Sequence, residues 1–249
     1  MNFGNAMTGP SVAHPRTSRA VETTVVKRGG ASVREYLAAL GLAMALYMLS
    51  AAPGALWQDS GWAQTRTLMR DFYGDLGLAL AHPLYYVFTI AFQVLPFGDS
   101  AFRTTLVSVV FGAITVANVY LLLRRLTGRV FDASIGAASL GLAHTFWQHC
   151  SVAEVYTLSM AGFSAELLIL QRFAAVRRGM WLVPLFLVNG LGLSNHLVAV
   201  LSLPVHGLLL LWAVYRGHAG WRVFVLSGVA WFAGAGLYLG MVVEQLLHR

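Results

Sequence analysis

PLYYVFTIAFQVL, residues 83–95, is the stretch on which the architecture turns. It is apolar enough to enter a membrane, yet at about 1.5 Å per helical residue it reaches only about 20 Å, against a hydrocarbon core of about 30 Å. Pro83 suits a first helical position, and Pro96 with Gly98 ends the run. The reading is a short helix that lies in the membrane interface and does not cross.

The charges on either side test that reading. If 83–95 does not cross, 104–123 runs inward to Arg124, Arg125 and Arg129, 155–170 runs inward to Arg172, Arg177 and Arg178, and 196–215 runs inward to Arg216 and Arg222. Every basic cluster then shares one side, as cytoplasmic loops do. The expected fold is all-α: a polytopic transmembrane bundle of seven spans at 36–52, 104–123, 133–150, 155–170, 181–193, 196–215 and 224–243. Residues 1–35, with Pro10, Pro15 and several arginines, read as a disordered cytoplasmic arm, and 36–249 as the transmembrane domain with its first outer loop at 53–103. The run at 36–52 lies deep in the chain for a cleaved signal and is read as the first span.

Composition agrees. With 57% hydrophobic and 11% charged residues and a mean hydropathy of +0.66, the chain is far from a soluble domain, which carries about 25% charged residues. The net charge of +7 does not signal nucleic acid, because the basic residues cap apolar runs instead of lining a face; the expected partners are membrane lipids. The single Cys150 excludes an intrachain disulfide and reads as a small packing residue.

On this topology the outer side collects Asp59, Asp71, Asp75, His82, Asp99 and Arg103 from the first loop, Trp147, Glu154 and Tyr156 from the turn at 145–159, and Asn195 and His196 from GLSNHL at 192–197. Polar groups near hydrocarbon are costly unless they line a wet cavity. A pocket lined by Asp59, His82, Glu154 and His196, with Arg103 at its lipid edge, is therefore expected. Residues 61–74 read as an interfacial helix with Trp62, Met69, Phe72 and Tyr73 toward lipid. Arg66 and Arg70, four apart, either hold a lipid phosphate or pair with Asp71 and Asp75. Glu166 is expected to pair with Arg172 or Asn118. His144 and His149 stand five apart, a poor spacing for shared ligation, and no metal site is assigned.

Several short elements carry a resemblance: Asp59-Ser60-Gly61, His82-Pro83, the LPFG turn at 95–98 before Arg103, LLRRLTG at 122–128, FW at 146–147 with AEVYTLS at 153–159, and GLSNH with Pro204. In these the chain resembles the N-terminal half of a GT-C superfamily membrane glycosyltransferase, over residues 50–205. It is most similar to the formerly uncharacterised family that includes a eukaryotic transmembrane protein O-mannosyltransferase. Trp62 stands where such proteins usually carry a glutamate after Asp-Ser-Gly, and His-Pro-Leu replaces a longer His-Pro-Pro-Gly.

The resemblance implies transfer of a sugar, mannose among the candidates, from a polyprenyl-phosphate carrier to an acceptor hydroxyl on a protein or glycan at the outer face. Asp59 would be the base. His82, Glu154, Asn195 and His196 would orient sugar hydroxyls, Trp147 or Tyr156 would stack on the ring, and Arg103 would stabilise the departing phosphate. Some relatives use a divalent cation and others do not. A chain ending at residue 249 is expected to lack the C-terminal part of longer relatives. Two alternatives stay open: a lipid or solute transporter or flippase using the same polar groups, and a catalytically inactive truncated homologue.

Overall fold

A computed structural model describes residues 32–74 and 77–248, and each element in them is helical. Residues 1–31 of the expected arm and Asp75 lie outside the described residues.

Helix α1 (Val33–Ser50) begins where Ser32 Oγ accepts the Glu35 amide at 3.1 Å. Two short helices follow, α2 (Gln58–Met69) and α3 (Pro83–Phe92), the latter with Pro83 in its first turn. At ten residues, α3 reaches about 15 Å, half the hydrocarbon core. It packs against α2 and against α4 (Ser100–Thr127), with Tyr85, Tyr86 and Thr89 buried. Asp99 caps α4 by accepting the Phe102 amide at 2.7 Å, and Gly128, at φ 74°, ends it in the left-handed conformation that favours glycine.

After α4 come α5 (Val130–Gly141), α6 (His144–Ser151), α7 (Tyr156–Val176), α8 (Leu182–Asn195), α9 (Leu203–Tyr215) and α10 (Trp221–Leu247). Helices α1, α4 and α10, and the continuous segment Leu197–Tyr215, are long and apolar enough to cross a membrane. A fifth candidate joins α6 and α7 through a 117° bend, while α5 and the segment Gly179–Asn195 are apolar but shorter. The protein is thus a helical membrane bundle. Helices cover all seven segments expected to span, and the one at 133–150 is interrupted between Gly141 and His144, dividing it into α5 and α6.

Helix α4 is the central post, touching α1, α5, α6 and α7 along its length and α2 and α3 near its start. The closest pairing is α8 on α10. A methyl group at Gly190 or Gly234 would collide with the opposing backbone, which is how small residues let membrane helices approach. Cys150 is fully buried in the cluster shared by α1 and α4.

The basic clusters gather at one end. Arg124 and the Tyr120 hydroxyl donate to Glu35 at 3.0 and 3.2 Å. Arg172 and Arg177 lie over the rings of Trp181 and Trp212, and Gly179 donates to the His218 carbonyl. The other end of the bundle carries the first loop, the α6–α7 break and the α8 terminus.

Candidate active site

The mouth is assembled from α2 outward. Gln64 fixes this helix by accepting from the Leu56 amide and donating to the carbonyls of Gly54 and Ala101. That anchorage sets Asp59, exposed in the first turn, next to the buried Ser60. The Ser60 hydroxyl donates to Glu154 Oε1 at 3.3 Å. Glu154 sits in the break between α6 and α7, where its amide donates to Ser108 Oγ at 2.9 Å and its carbonyl accepts from the same hydroxyl at 3.0 Å. Burial pushes the Glu154 carboxyl up from its ordinary value; the Ser60 bond offsets part of this and nearby Asp59 adds to it.

The second half of the mouth is built on imidazoles. His82 precedes Pro83 with φ at 51°, a left-handed backbone uncommon outside glycine, and such strain clusters at functional sites. Its Nδ1 lies 2.6 Å from the Asn195 carbonyl. A carbonyl only accepts, so the proton sits on Nδ1 and Nε2 offers a lone pair. The His196 ring stacks on it at 5.1 Å and 20°. There Nδ1 accepts the Val198 amide at 3.2 Å, which leaves the proton on Nε2. Burial lowers both imidazoles from their usual value; at His82 the Asn195 bond opposes this, while His196 and Arg66 reinforce it.

Tyr156 continues the row, 5.6 Å from His196 and 5.1 Å from His149, with its ring exposed. Asn195 ties the halves together by donating to the Val155 carbonyl and to Ser159 Oγ at 3.0 and 2.8 Å. Its Oδ1 is buried without a partner.

Other expected site residues are engaged elsewhere. Arg103 directs its N–H groups at the carbonyls of Phe97, Gln93 and Gly98 at 2.8 to 3.1 Å, bracing the turn between α3 and α4. The guanidinium expected at the lipid edge of the pocket is thus engaged by three carbonyls while staying partly exposed. Arg66 is only 3% exposed, lies 3.9 Å over the Tyr86 ring, donates to the carbonyls of Leu80 and Ala81 and sits 3.5 Å from Asp71. Of the two readings for Arg66, the carboxylate pairing is the one seen. Arg70 ends α2 in the left-handed region and stays exposed, so the pair does not share a face.

Phe72 packs with Tyr85 and Ala63 instead of facing lipid, whereas Trp62, Met69 and Tyr73 are exposed. The Trp147 indole donates to Ser50 Oγ at 2.8 Å and packs on the α1–α4 cluster, leaving Tyr156 as the exposed ring of the two. Glu166 pairs with neither Arg172 nor Asn118. It accepts from Asn189 and Ser202 and lies 3.7 Å from His206. Asn118 bridges Tyr36 and Ser164.

Sequence reasoning missed Ser60 and Ser108 as supports of Glu154. The only available signal was the serine inside Asp-Ser-Gly, whose role depends on a contact 94 residues away.

The family described as the protein O-mannosyl-transferase TMEM260 N-terminal domain matches residues 78–218, more than half of the chain. The chain belongs to this family. No solved structure matches it. The TMEM260 N-terminal match covers His82, Arg103, Trp147, Glu154, Tyr156, Asn195 and His196, and Asp59, Arg66 and Arg70 precede it. The family's name is that of a glycosyltransferase, and the matched region contains the stacked histidines and Glu154.

Proposed function

We propose that the protein transfers a sugar, mannose by its family, from a polyprenyl-phosphate carrier to an acceptor hydroxyl at the outer face of the membrane. The observation that carries this reading is the Ser60–Glu154 contact, which brings the exposed Asp59 beside the α6–α7 break. Asp59 takes the proton as the acceptor hydroxyl attacks the anomeric carbon. The new carbon–oxygen bond forms as the bond to the carrier phosphate breaks, and the lipid phosphate leaves. A phosphate is a good leaving group, so no carboxylic acid is needed on that side. We assign the charge of that phosphate to a first-loop guanidinium, Arg103 or the exposed Arg70 at the end of α2.

Glu154, His82, Asn195 and His196 orient the sugar. The histidine pair presents one lone pair and one N–H, the complement of a polyol, and Tyr156 offers its ring to the sugar face. The basic clusters at the opposite end support an outward-facing mouth, with the N-terminus on the cytoplasmic side. At that basic end Arg124 and Tyr120 tie α4 to Glu35 of α1, and the polar groups assigned to the sugar lie at the other end, which favours transfer over passage through the bundle. The test uses the full chain in vesicles with radiolabelled polyprenyl-phosphate mannose, polyprenyl-phosphate glucose or a nucleotide-linked mannose. Label is expected in acceptor protein from a lipid-linked donor; label from the nucleotide sugar alone would overturn the carrier assignment.

A further inference from the structure

A second polar cluster lies inside the bundle, away from the mouth. Glu166 is at the middle of α7, 4% exposed, about 15 Å of helix rise from Tyr156 at the start of that helix. The Asn189 amide nitrogen contacts Glu166 Oε1 at 3.1 Å, the Ala199 carbonyl at 3.0 Å and Ser202 Oγ at 2.8 Å. The Ser202 hydroxyl faces Glu166 Oε2 at 3.4 Å and the Ala199 carbonyl at 3.2 Å. Trp231 donates to Asn189 Oδ1 at 3.0 Å, which fixes the amide's orientation.

An amide NH2 carries two hydrogens and a hydroxyl one. Three hydrogens therefore serve both carboxyl oxygens, a carbonyl and the serine oxygen. His206, in ion-pair range at 3.7 Å, is too distant for a hydrogen bond, and its Nδ1 is buried without a partner. Glu166 Oε2 holds the longest of these bonds, 3.4 Å from the Ser202 hydroxyl, and a carboxyl oxygen with two lone pairs has room for a second donor.

This cluster borders a cavity of about 270 Å3 between α7, α8 and the turn Leu197–Leu201. Its walls are Met160, Phe163, Val188, Val198 and Leu201, and its polar lining comes from Glu166, Ser202 and Ser159. Phe163, Val198 and Leu201 are exposed on the lipid-facing surface, so the cavity is open to the hydrocarbon phase.

We propose that this cavity binds an apolar chain bearing a hydroxyl group, with the hydroxyl donating to Glu166. A hydroxyl supplies a second donor to Oε2 and is satisfied by one acceptor. A carboxylate or phosphate would face the Glu166 carboxyl with like charge. Two sources share this chemistry: a free long-chain alcohol and a phospholipid whose acyl chain carries a hydroxyl.

Gly162 lines the cavity and has open space around its would-be Cβ. Gly162→Leu therefore fills the cavity without touching the polar cluster, and is expected to fold. The experiment places the full chain in nanodiscs with diazirine-bearing hexadecanol, a diazirine phospholipid hydroxylated in mid-chain, or the diazirine alkane without hydroxyl. At least one hydroxyl probe is expected to label residues 159–202 at five times the alkane level or more, with that excess lost in Gly162→Leu and in Glu166→Leu. Labelling by the alcohol alone, or by the phospholipid alone, identifies the source. Labelling by neither above the alkane level, or an excess that survives Gly162→Leu, overturns the proposal.

Discussion

The Ser60 hydroxyl donates to Glu154 Oε1 across 3.3 Å, joining the first turn of α2 to the break between α6 and α7. Ser60 is buried and Glu154 half-buried, so the bond matters more than a fully exposed one, and losing it takes one donor from the carboxyl group. Ser60→Ala is expected to cost about 1 kcal/mol of stability. It should lower transfer further, because Asp59 loses its register with the mouth. Thermal unfolding in detergent alongside a transfer assay checks both, and an unchanged assay would remove this contact from the account.

Arg66 and Arg70 differ in exposure although they share a helix. Arg66→Ala leaves two carbonyls, Asp71 and the Tyr86 face without their cation and is expected to destabilise by about 3 kcal/mol. Arg70→Ala, at an exposed position, is expected to stay within about 0.5 kcal/mol of the parent while weakening retention of a phosphate-bearing lipid. Denaturation midpoints and co-purifying lipid phosphate report the two effects separately.

The imidazoles set a pH response. Burial depresses His82 and His196 below their ordinary value. The unfolded chain therefore binds protons that the folded chain refuses. The stability these groups contribute is complete above an unfolded pKa of about 6.5 and is lost as pH falls below it. Glu154 has the opposite sign in a lower window: its raised value makes the folded state lose stability as pH climbs past the ordinary glutamate range. Unfolding temperature is expected to drop between pH 7.5 and 5.5, and a His82→Gln, His196→Gln chain to show a flatter slope over the same interval.

Trp147 and Tyr156, both candidates for ring stacking on sequence grounds, separate in the structure. Trp147→Phe removes the hydrogen bond to Ser50 and is expected to cost about 1 kcal/mol with little change in KM. Tyr156→Ala, at an exposed ring, is expected to raise KM for the sugar donor severalfold with little change in stability. Steady-state kinetics and melting curves on the two variants distinguish these outcomes.

Helix existence was legible because it rests on local chemistry. Pro83 opens α3 and the turn holding Pro96 and Gly98 follows it, as their backbone preferences require. The gathering of Glu154, Asn195 and His196 at one end followed from counting spans and charges. What stayed hidden was the destination of the long side chains. Arg103 and Arg66 look free in sequence because their partners are carbonyls left open at turns, which carry no residue signature. Glu166 reads in sequence as a partner for Arg172 or for Asn118 on a neighbouring helix. Its actual partners, Asn189, Ser202 and His206, come from helices whose tilt no periodicity reveals.

The central claim is that Asp59, brought beside Glu154, receives the acceptor's proton. The most direct measurement compares the parent with Asp59→Asn, an isosteric change at an exposed position, by initial rate of sugar transfer from a radiolabelled polyprenyl-phosphate donor in vesicles. The account predicts a loss of two to four orders of magnitude, roughly the span associated with a general base, with an unchanged melting temperature. Transfer at the parent rate by the folded variant would contradict it.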